Sequence, residues 1–145
     1  MTPYLLPATT HSYLARSAES LREAITSPDV RTRYACAHVA ALRATAALLA
    51  ARAHPTPRAT RQKNAWVLLA QVCPEMTEWA RFFAAGAPKR AAAEAGLSKA
   101  VTEREADDLV RDADRFLEGV ERSLGLMPHA PLEPQLATAG HPGVA

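Results

Sequence analysis

The sequence predicts an all-α fold, an up-and-down bundle of four to five helices with disordered termini. Apolar residues recur three and four positions apart along most of the chain, which is the spacing of a helix with one buried face. No segment shows the alternation of apolar and polar residues that is typical of a strand. Prolines and glycines separate the apolar segments by short links, which favours packing of each helix against the next.

The chain has the size and composition of one domain. Its 145 residues, of which 48% are hydrophobic, are sufficient for one compact core. We expect a flexible N-terminal segment over residues 1–10, a helical bundle over 11–125 and a disordered tail over 126–145. The tail prediction rests on the four prolines and two glycines that follow Met127.

Two long helices are predicted in the first third of the chain. Thr10 or Ser12 is placed to cap the first helix, which runs to about Thr26. Ser27-Pro28-Asp29 then provides a cap, a first-turn proline and a first-turn acid for a second helix that reaches about Ala53. Because the link is short, we expect the two helices to form an antiparallel hairpin.

Prolines divide the middle of the chain into shorter helices. The segment 54–57 contains two prolines and ends the second helix, and a third helix is predicted over residues 61–72. Cys73-Pro74 breaks that helix, so a fourth begins directly after it. Residues 86–99 leave two alternatives open, one helical turn or two, ended by Gly96.

The last helix has the clearest boundaries in the sequence. Thr102 and Glu105 form a capping-box pattern at its start, and Gly125 stops it. Between these residues an apolar seam alternates spacings of three and four: Ala106, Leu109, Val110, Ala113, Phe116, Leu117, Val120 and Leu124.

Aromatic residues indicate both core and surface positions. Trp66, Trp79, Phe83 and Phe116 fall at helical core positions. Trp79 and Phe82 cannot both face inward. We expect Phe82 at the surface, where it would mark a dimer surface or a groove.

Charge is distributed unevenly along the chain. Residues 30–74 contain seven basic residues and no acidic residue, although the whole chain has a net charge of only +2. Concentrated charge attracts phosphate or the acidic face of another chain, whereas mixed charge cancels. The predicted anion-binding or phosphate-binding residues surround the proline loop and the start of the third helix, where backbone amides also favour anions. They are Arg52, Arg58, Arg61 and Lys63.

The alternative is that these basic residues are solvated or pair within the molecule. The last helix is acidic, and six of its carboxylates would serve as intramolecular partners. They are Asp107, Asp108, Asp112, Asp114, Glu118 and Glu121.

Other features favour a cytoplasmic protein without a bound metal or cofactor. We expect no apolar run to approach the roughly 20 residues that span a bilayer, and the N-terminus lacks the pattern of a secretory signal. Cys36 and Cys73 have neither the spacing nor the neighbouring histidines of a zinc site, so we interpret them as reduced packing thiols.

Several motifs resemble those of HEPN domains, small helical bundles that are common in prokaryotes. The opening hairpin carries part of the resemblance, in Leu21-Arg22-Glu23-Ala24 and Tyr34-Ala35-x-Ala37-His38. More specific are the segments 79–87 and 104–111, which are similar to an uncharacterised actinobacterial branch of that superfamily. Together the matching segments cover roughly residues 14–124, and they imply the same all-α bundle.

The resemblance implies two kinds of function. Many HEPN domains are metal-independent ribonucleases, often toxins that act as dimers, while others are inactive binding or scaffolding modules. The catalytic members carry an arginine, usually followed by a polar residue, and a histidine four to six residues further on. The histidine can move the proton of the 2′-hydroxyl, and the arginine can hold the phosphate as negative charge develops.

Two stretches fit the catalytic spacing, and both depart from the pattern. Arg33 and His38 lie within the second helix, where a separation of five residues turns them well apart around the helix. Arg122 and His129 lie near the expected end of the bundle, but Gly125 interrupts the helix between them. These four are therefore weak candidates for catalysis, and a packing role is the favoured interpretation of His38.

The sequence therefore favours a non-catalytic domain that forms a homodimer and binds RNA, DNA, a nucleotide or a partner protein. A divergent metal-independent ribonuclease and a purely structural dimerisation module are the alternatives.

Overall fold

A computed structural model describes residues 5–52, 64–97 and 99–132. These residues form six α-helices and one 3-10 turn, and no strand occurs among them, so the predicted all-α fold is confirmed. The helices are α1 Ala8–Thr26, α2 Val30–Arg52, α3 Ala65–Val72, α4 Thr77–Ala85, α5 Ala87–Glu94 and α6 Glu103–Ser123, with the 3-10 turn Pro74–Met76 between α3 and α4. Residues 86–99, which the sequence left ambiguous, contain α5. This helix ends before Gly96, which has a positive φ of 82°.

Helix α1 begins earlier than predicted and has a different start. Pro7 precedes it with an extended ψ of 145°, and no side chain caps the helix, so the cap predicted at Thr10 or Ser12 is wrong. Thr10 instead lies within the helix, and its side chain is buried. Its hydroxyl donates to the Ala47 carbonyl of α2 at 2.9 Å. A threonine near a helix start can cap it only from outside the helix, and here Pro7 takes that position.

Helix α2 is capped by Asp29, so the cap predicted at Ser27 is wrong. The Asp29 carboxylate accepts from the Thr32 backbone N–H at 3.1 Å and from the Thr32 hydroxyl at 2.6 Å. Ser27 instead ends α1, because its backbone N–H donates to the Glu23 carbonyl at 3.1 Å. An aspartate directly before the first helical residue satisfies the free amides better than a serine two positions earlier.

Helices α1 and α2 form the predicted antiparallel hairpin. Ser17 donates its hydroxyl to the Ala40 carbonyl at 2.7 Å, and Thr10 bonds Ala47, so residues further along α1 meet residues earlier in α2. The buried face of α2 is built largely from alanine. Small side chains bring the two backbones close enough for serine and threonine hydroxyls to reach the carbonyls of the facing helix.

The rest of the bundle completes an up-and-down arrangement. Arg31 donates to the Gly96 carbonyl beyond α5, whereas Arg52 at the other end of α2 pairs with Glu75 in the 3-10 turn before α4. The chain from the 3-10 turn to the end of α5 therefore runs antiparallel to α2, whereas α3 ends at Cys73 beside Arg52. Helix α6 runs parallel to α2, because Arg52 also donates to the Ser123 carbonyl at the end of α6.

Helix α3 begins at Ala65, where the Asn64 side chain accepts from the Val67 N–H at 2.9 Å. The predicted start of this helix at Arg61 lies outside the described residues.

Helix α6 has the predicted capping box. The Thr102 hydroxyl accepts from the Glu105 N–H at 3.1 Å, and the Glu105 carboxylate accepts from the Thr102 N–H at 2.9 Å. We expect Thr102→Ala to lower the free energy of unfolding by about 1 kcal/mol, because it leaves a first-turn amide of α6 without its acceptor. Urea unfolding followed by circular dichroism measures this. Thr102→Ser retains the hydroxyl and should restore most of the loss; an equal loss in both variants would contradict the capping role.

The core is centred on aromatic rings. Trp66, Phe83 and Phe116 are buried as predicted, Trp79 is half-buried, and Phe82 is 45% exposed. The surface position expected for Phe82 is confirmed.

By length and composition, α2 alone among the described helices could cross a membrane, contrary to the expectation that no such run exists. An 18-residue window in it has a mean hydropathy of 1.4, but half of that window is buried against the rest of the bundle. The core helix of a bundle meets the same test, so this is weak evidence for a membrane span.

Residues 126–132, which the sequence assigns to the tail, lie against α6. Gly125 ends the helix with a φ of 76°, and the chain then turns so that the Leu132 side chain becomes buried and its N–H donates to Asp114 at 3.0 Å. Residues 133–145 lie outside the described part of the chain, so their predicted disorder stays a prediction.

Candidate functional site

A cleft of about 450 Å³ opens between α2, the junction of α4 and α5, and α6. Its inner wall is aromatic, formed by Tyr34 of α2 and by Phe82 and Phe83 of α4. Phe82 places a ring that is 45% exposed at this wall, while Phe83 continues into the core with an exposure of 1%. A concave surface of this size with an aromatic wall has the character of a ligand pocket.

Gly86 keeps the inner end of the cleft open. It lies between α4 and α5, and a Cβ atom there would lie 3.2 Å from the Tyr34 hydroxyl oxygen and 3.5 Å from the Phe83 carbonyl oxygen. Its φ of −84° is accessible to any residue, so the glycine is explained by space and not by backbone conformation.

The hydroxyl of Tyr34 is a polar group without a partner at the cleft. The residue is 6% exposed, and its hydroxyl makes no hydrogen bond within the described part of the chain. Burial raises the pKa of this hydroxyl, so it stays protonated and neutral at pH 7. A hydroxyl that lines a cleft is available to a ligand as donor or acceptor.

The rim of the cleft is acidic. Glu105, Asp108 and Asp112 of α6 contribute three carboxylates, and Lys89 of α5 contributes one ammonium group. Lys89 pairs with Glu105, and this hydrogen bond lowers the pKa of Glu105 and raises that of Lys89. Because Glu105 also belongs to the capping box, its carboxylate is held in place from two sides.

His38 lines the cleft but is structurally engaged. It is 1% exposed, and its Nε2 donates to the Phe83 carbonyl at 3.1 Å. Its Nδ1 is buried and has no hydrogen-bond partner among the described residues. Burial lowers the pKa of His38, so the imidazole is neutral at pH 7. The packing interpretation of this histidine fits these contacts.

Arg33 and His38 are not brought together by the fold. Arg33 donates to Asp107 at 2.7 Å and to the Ser27 carbonyl at 3.1 Å, so it joins the turn between α1 and α2 to α6. Five residues correspond to about 140° around a helix, which directs the two side chains to different neighbours. The pair therefore lacks the common cleft that catalysis would need.

Arg122 and His129 also have separate partners. Arg122 pairs with Glu118 at 2.7 Å, and 67% of its side chain is exposed. The imidazole of His129 lies between Asp114 at 2.5 Å and Glu121 at 2.6 Å. The hydrogen bond to Asp114, supported by Glu121, raises the pKa of His129 to about 9, so it carries a positive charge at pH 7.

Asp114 is the main buried polar residue that sequence reasoning missed. The sequence alone places it on the acidic face of the last helix, yet it is 2% exposed. The signal was present in the spacing, because Asp114 lies four residues after Val110 and three before Leu117, on the apolar seam. A carboxylate at such a position needs a partner, and His129 supplies it.

The predicted anion cluster is described only at Arg52. Its guanidinium pairs with Glu75 at 2.5 Å, donates to the Ser123 carbonyl at 2.7 Å and contacts the Cys73 sulfur at 3.6 Å. Arg58, Arg61 and Lys63 lie outside the described residues, so their part in an anion site stays a prediction.

The other arginines of α2 are engaged within the molecule as well. Arg31 donates to the Gly96 carbonyl, and Arg43 donates to the Ser20 hydroxyl at 2.9 Å. Within α2, the basic residues therefore pair inside the molecule, which is the alternative that the sequence left open. Of these arginines, only Arg33 pairs with a carboxylate of the last helix, as the sequence suggested.

Neither cysteine forms a disulfide in the structure; Cys73 is buried and Cys36 is half-buried. Among the described residues, no group of three or more histidine, cysteine, aspartate or glutamate side chains is arranged to hold a metal ion.

Comparison with protein families gives a match over residues 24–121, which include α2 to α5, nearly all of α6 and every residue that lines the cleft. The matching family is described as SAV_6107-like HEPN. The chain belongs to this HEPN family. No curated protein and no solved structure matches it. In this HEPN domain the cleft lies inside the matched region, whereas His129 lies beyond it.

Proposed function

We propose that this HEPN domain is a non-catalytic binding module and that its ligand is a partner protein. The observation that carries the proposal is the cleft, which presents an exposed aromatic ring and carboxylates, while neither arginine–histidine pair that the sequence offers for catalysis shares a cleft. As the sequence suggests, we further propose that the protein is cytoplasmic and acts as a homodimer.

The two candidate histidines are poorly suited to proton transfer in RNA cleavage. His38 is almost completely buried and uses Nε2 to bond a backbone carbonyl. His129 is held by two carboxylates and remains protonated up to a pKa of about 9, far from the neutral value that favours a general base at pH 7.

The charge of the cleft also favours protein over nucleic acid. Lys89 is the one lysine or arginine among the residues that line the cleft, and it is paired with Glu105, so RNA, DNA or a nucleotide would find no unpaired cation for its phosphates at this lining. An exposed aromatic ring in a concave surface is instead typical of an anchor position for a protein partner.

Incubation of the purified protein with RNA in the presence of a chelator tests the absence of catalysis. We expect no cleavage by the wild-type chain, His38→Ala or His129→Ala. Wild-type cleavage that is lost in either variant would contradict the proposal and establish the ribonuclease alternative with that histidine. Wild-type cleavage that survives both substitutions would also contradict it and would exclude both histidines.

A second experiment tests partner binding at the cleft. A partner captured by the wild-type chain should be lost with Phe82→Ala and retained with Val67→Ala, because Val67 of α3 is similarly exposed, at 43%, but does not line the cleft. Equal capture by both variants would place the contact elsewhere. Light scattering on the same samples determines whether a homodimer forms.

Nucleic-acid binding at Arg52, Arg58, Arg61 and Lys63 is a second candidate function, favoured by the acid-free segment 30–74. If these residues contact phosphates, affinity for single-stranded RNA should fall with salt by about 0.7 log units per contact for each tenfold increase. Fluorescence anisotropy at several salt concentrations measures this. Absence of binding at low salt would exclude this candidate.

A further inference from the structure

We propose that residues 126–132, here called the strap, are an intramolecular ligand that closes a peptide-docking site on α6. The partner that fits this site is an extended segment of another protein that carries a cationic side chain three residues before a leucine. The site is separate from the cleft, because Asp114 and Glu121, which hold the strap, do not line the cleft. The proposal is carried by the contacts of the strap and by the burial of Asp114.

Two carboxylates of α6 hold the strap at two residues, His129 and Leu132. Glu121 accepts from the His129 backbone N–H at 3.1 Å and lies 2.6 Å from its Nδ1, while Asp114 lies 2.5 Å from its Nε2. Asp114 also accepts from the Leu132 N–H at 3.0 Å, and the Leu132 side chain is buried. Main-chain hydrogen bonds combined with a pocket for a side chain are typical of peptide recognition.

The site selects a cation. An ionised carboxylate only accepts hydrogen bonds, so the two imidazole nitrogens of His129, each facing a carboxylate, both carry a proton. Asp114 is 2% exposed, and a carboxylate at that depth is costly unless a cation pairs with it. The surface beneath the strap is therefore destabilised whenever no cationic group covers it.

A purely structural strap would not need this ion pair. Replacing a buried ion pair by packed apolar residues is often neutral or stabilising, so the pair of Asp114 with His129 is weak evidence for a role in stability alone. What the pair adds is selectivity. An apolar surface would accept many apolar segments, whereas this one requires a cation in register with a leucine.

The sequence of the strap suits a segment that can leave its site. Gly125 precedes the strap with a φ of 76°, and no neighbouring segment of the described residues lies within 4 Å of the place of a Cβ atom there. Because glycine adopts positive and negative φ with similar ease, the chain can pivot at this residue. Pro128 and Pro131 favour an extended backbone before them, which lowers the entropy that the strap loses on docking.

Binding of a synthetic peptide tests the proposal. The probe is fluorescently labelled Leu-Met-Pro-His-Ala-Pro-Leu, the sequence of the strap, and anisotropy reports its binding at about pH 6, where its histidine is largely protonated. Leu132→Ala loosens the strap of the full chain and leaves both carboxylates in place. Met127→Ala is the matched control, because Met127 is 88% exposed in the same strap. We expect Leu132→Ala to bind the probe at least about tenfold more tightly than wild type or Met127→Ala, because a loosened strap competes less.

Altered probes and variants identify what the site recognises. In the Leu132→Ala background, probes with alanine in place of the histidine or of the last leucine should bind about fivefold or more weakly. Glu121→Gln in the same background should weaken binding by a similar factor. Glu118→Gln should not, because Glu118 lies on the same helix but pairs with Arg122. Thermal unfolding by circular dichroism checks each variant, and a substitution at Leu132, which follows the last helix, should leave the bundle folded.

The proposal is overturned if wild type and Leu132→Ala bind the probe equally, if neither binds it at about 1 mM, or if the alanine probes bind as well as the original. A wild-type dimer that Leu132→Ala dissociates and Met127→Ala retains would assign the site to the strap of a second copy, and would overturn the choice of a separate partner. Failure of the proposed function is a different result, since it would appear as RNA cleavage or as partner capture that does not depend on Phe82.

Discussion

Replacing Phe83 with alanine is expected to lower the free energy of unfolding by about 3 to 5 kcal/mol, a large effect for a single substitution. The ring is 1% exposed and lies at the centre of the aromatic core, with centroids 5.1 Å from both Trp66 and Phe116 and 5.7 Å from Trp79. The loss combines apolar burial with a cavity that three rigid rings cannot fill by small movements. Urea unfolding followed by tryptophan fluorescence measures it.

Phe82→Ala is the matched control for this prediction. The two phenylalanines are adjacent on α4, and the substitution removes the same atoms, but Phe82 is 45% exposed. Its loss should therefore be about 1 kcal/mol or less, because much of the ring already contacts water. Equal destabilisation by the two substitutions would contradict the separation of core and cleft along α4.

The long helices could be predicted from the sequence because local signals and packing agree there. The seam of α6 carries both the helical period and a capping box, and both are present in the structure. The starts of α1 and α2 could not be predicted to the residue. Several residues near each start are able to cap, and the choice between Ser27 and Asp29 depends on where the hairpin turn allows α1 to end.

The cleft could be predicted only in part from the sequence. Phe82 could be placed at the surface because Trp79 and Phe83 already occupy the buried face of one short helix. The residues that line the cleft with Phe82 could not be predicted, since most of them come from α2, α5 and α6 and meet only in the folded bundle. The small size of Gly86 keeps the cleft open, and this role could not be predicted because the structure of residues 86–99 was ambiguous in the sequence.

The uneven distribution of charge has a structural explanation in α2. Its arginines lie in the central helix of the bundle, where they bond carbonyls and carboxylates of the α1–α2 turn, the 3-10 turn, the segment after α5, and α6. Arg33 shows the consequence most clearly: its side chain is 12% exposed and pairs with Asp107. A run of positive charge in the sequence therefore becomes, over residues 31–52, a set of intramolecular contacts.

His129→Ala is expected to lower the free energy of unfolding by about 3 kcal/mol at pH 6, and by much less at pH 10. The imidazole joins residues 126–132 to α6 through Asp114 and Glu121, and its removal leaves the Asp114 carboxylate, which is 2% exposed, without its cationic partner. The folded-state pKa of His129 is raised from 6.5 to about 9. The stabilisation is therefore complete below about pH 6.5, declines as the pH rises, and is lost above about pH 9.

Urea unfolding of the wild type and the variant at pH values from 6 to 10 measures this dependence. Arg122→Ala is the control, because Arg122 lies on the same stretch of α6 and its ion pair with Glu118 is largely exposed. That substitution should cost below about 1 kcal/mol, with little change between pH 6 and pH 10. A difference between wild type and His129→Ala that stays constant across the range would contradict the charged state of the imidazole, because a purely apolar contact has no proton to lose. A difference that falls between pH 7 and 10 would identify the paired carboxylates as the groups that hold this segment on the bundle.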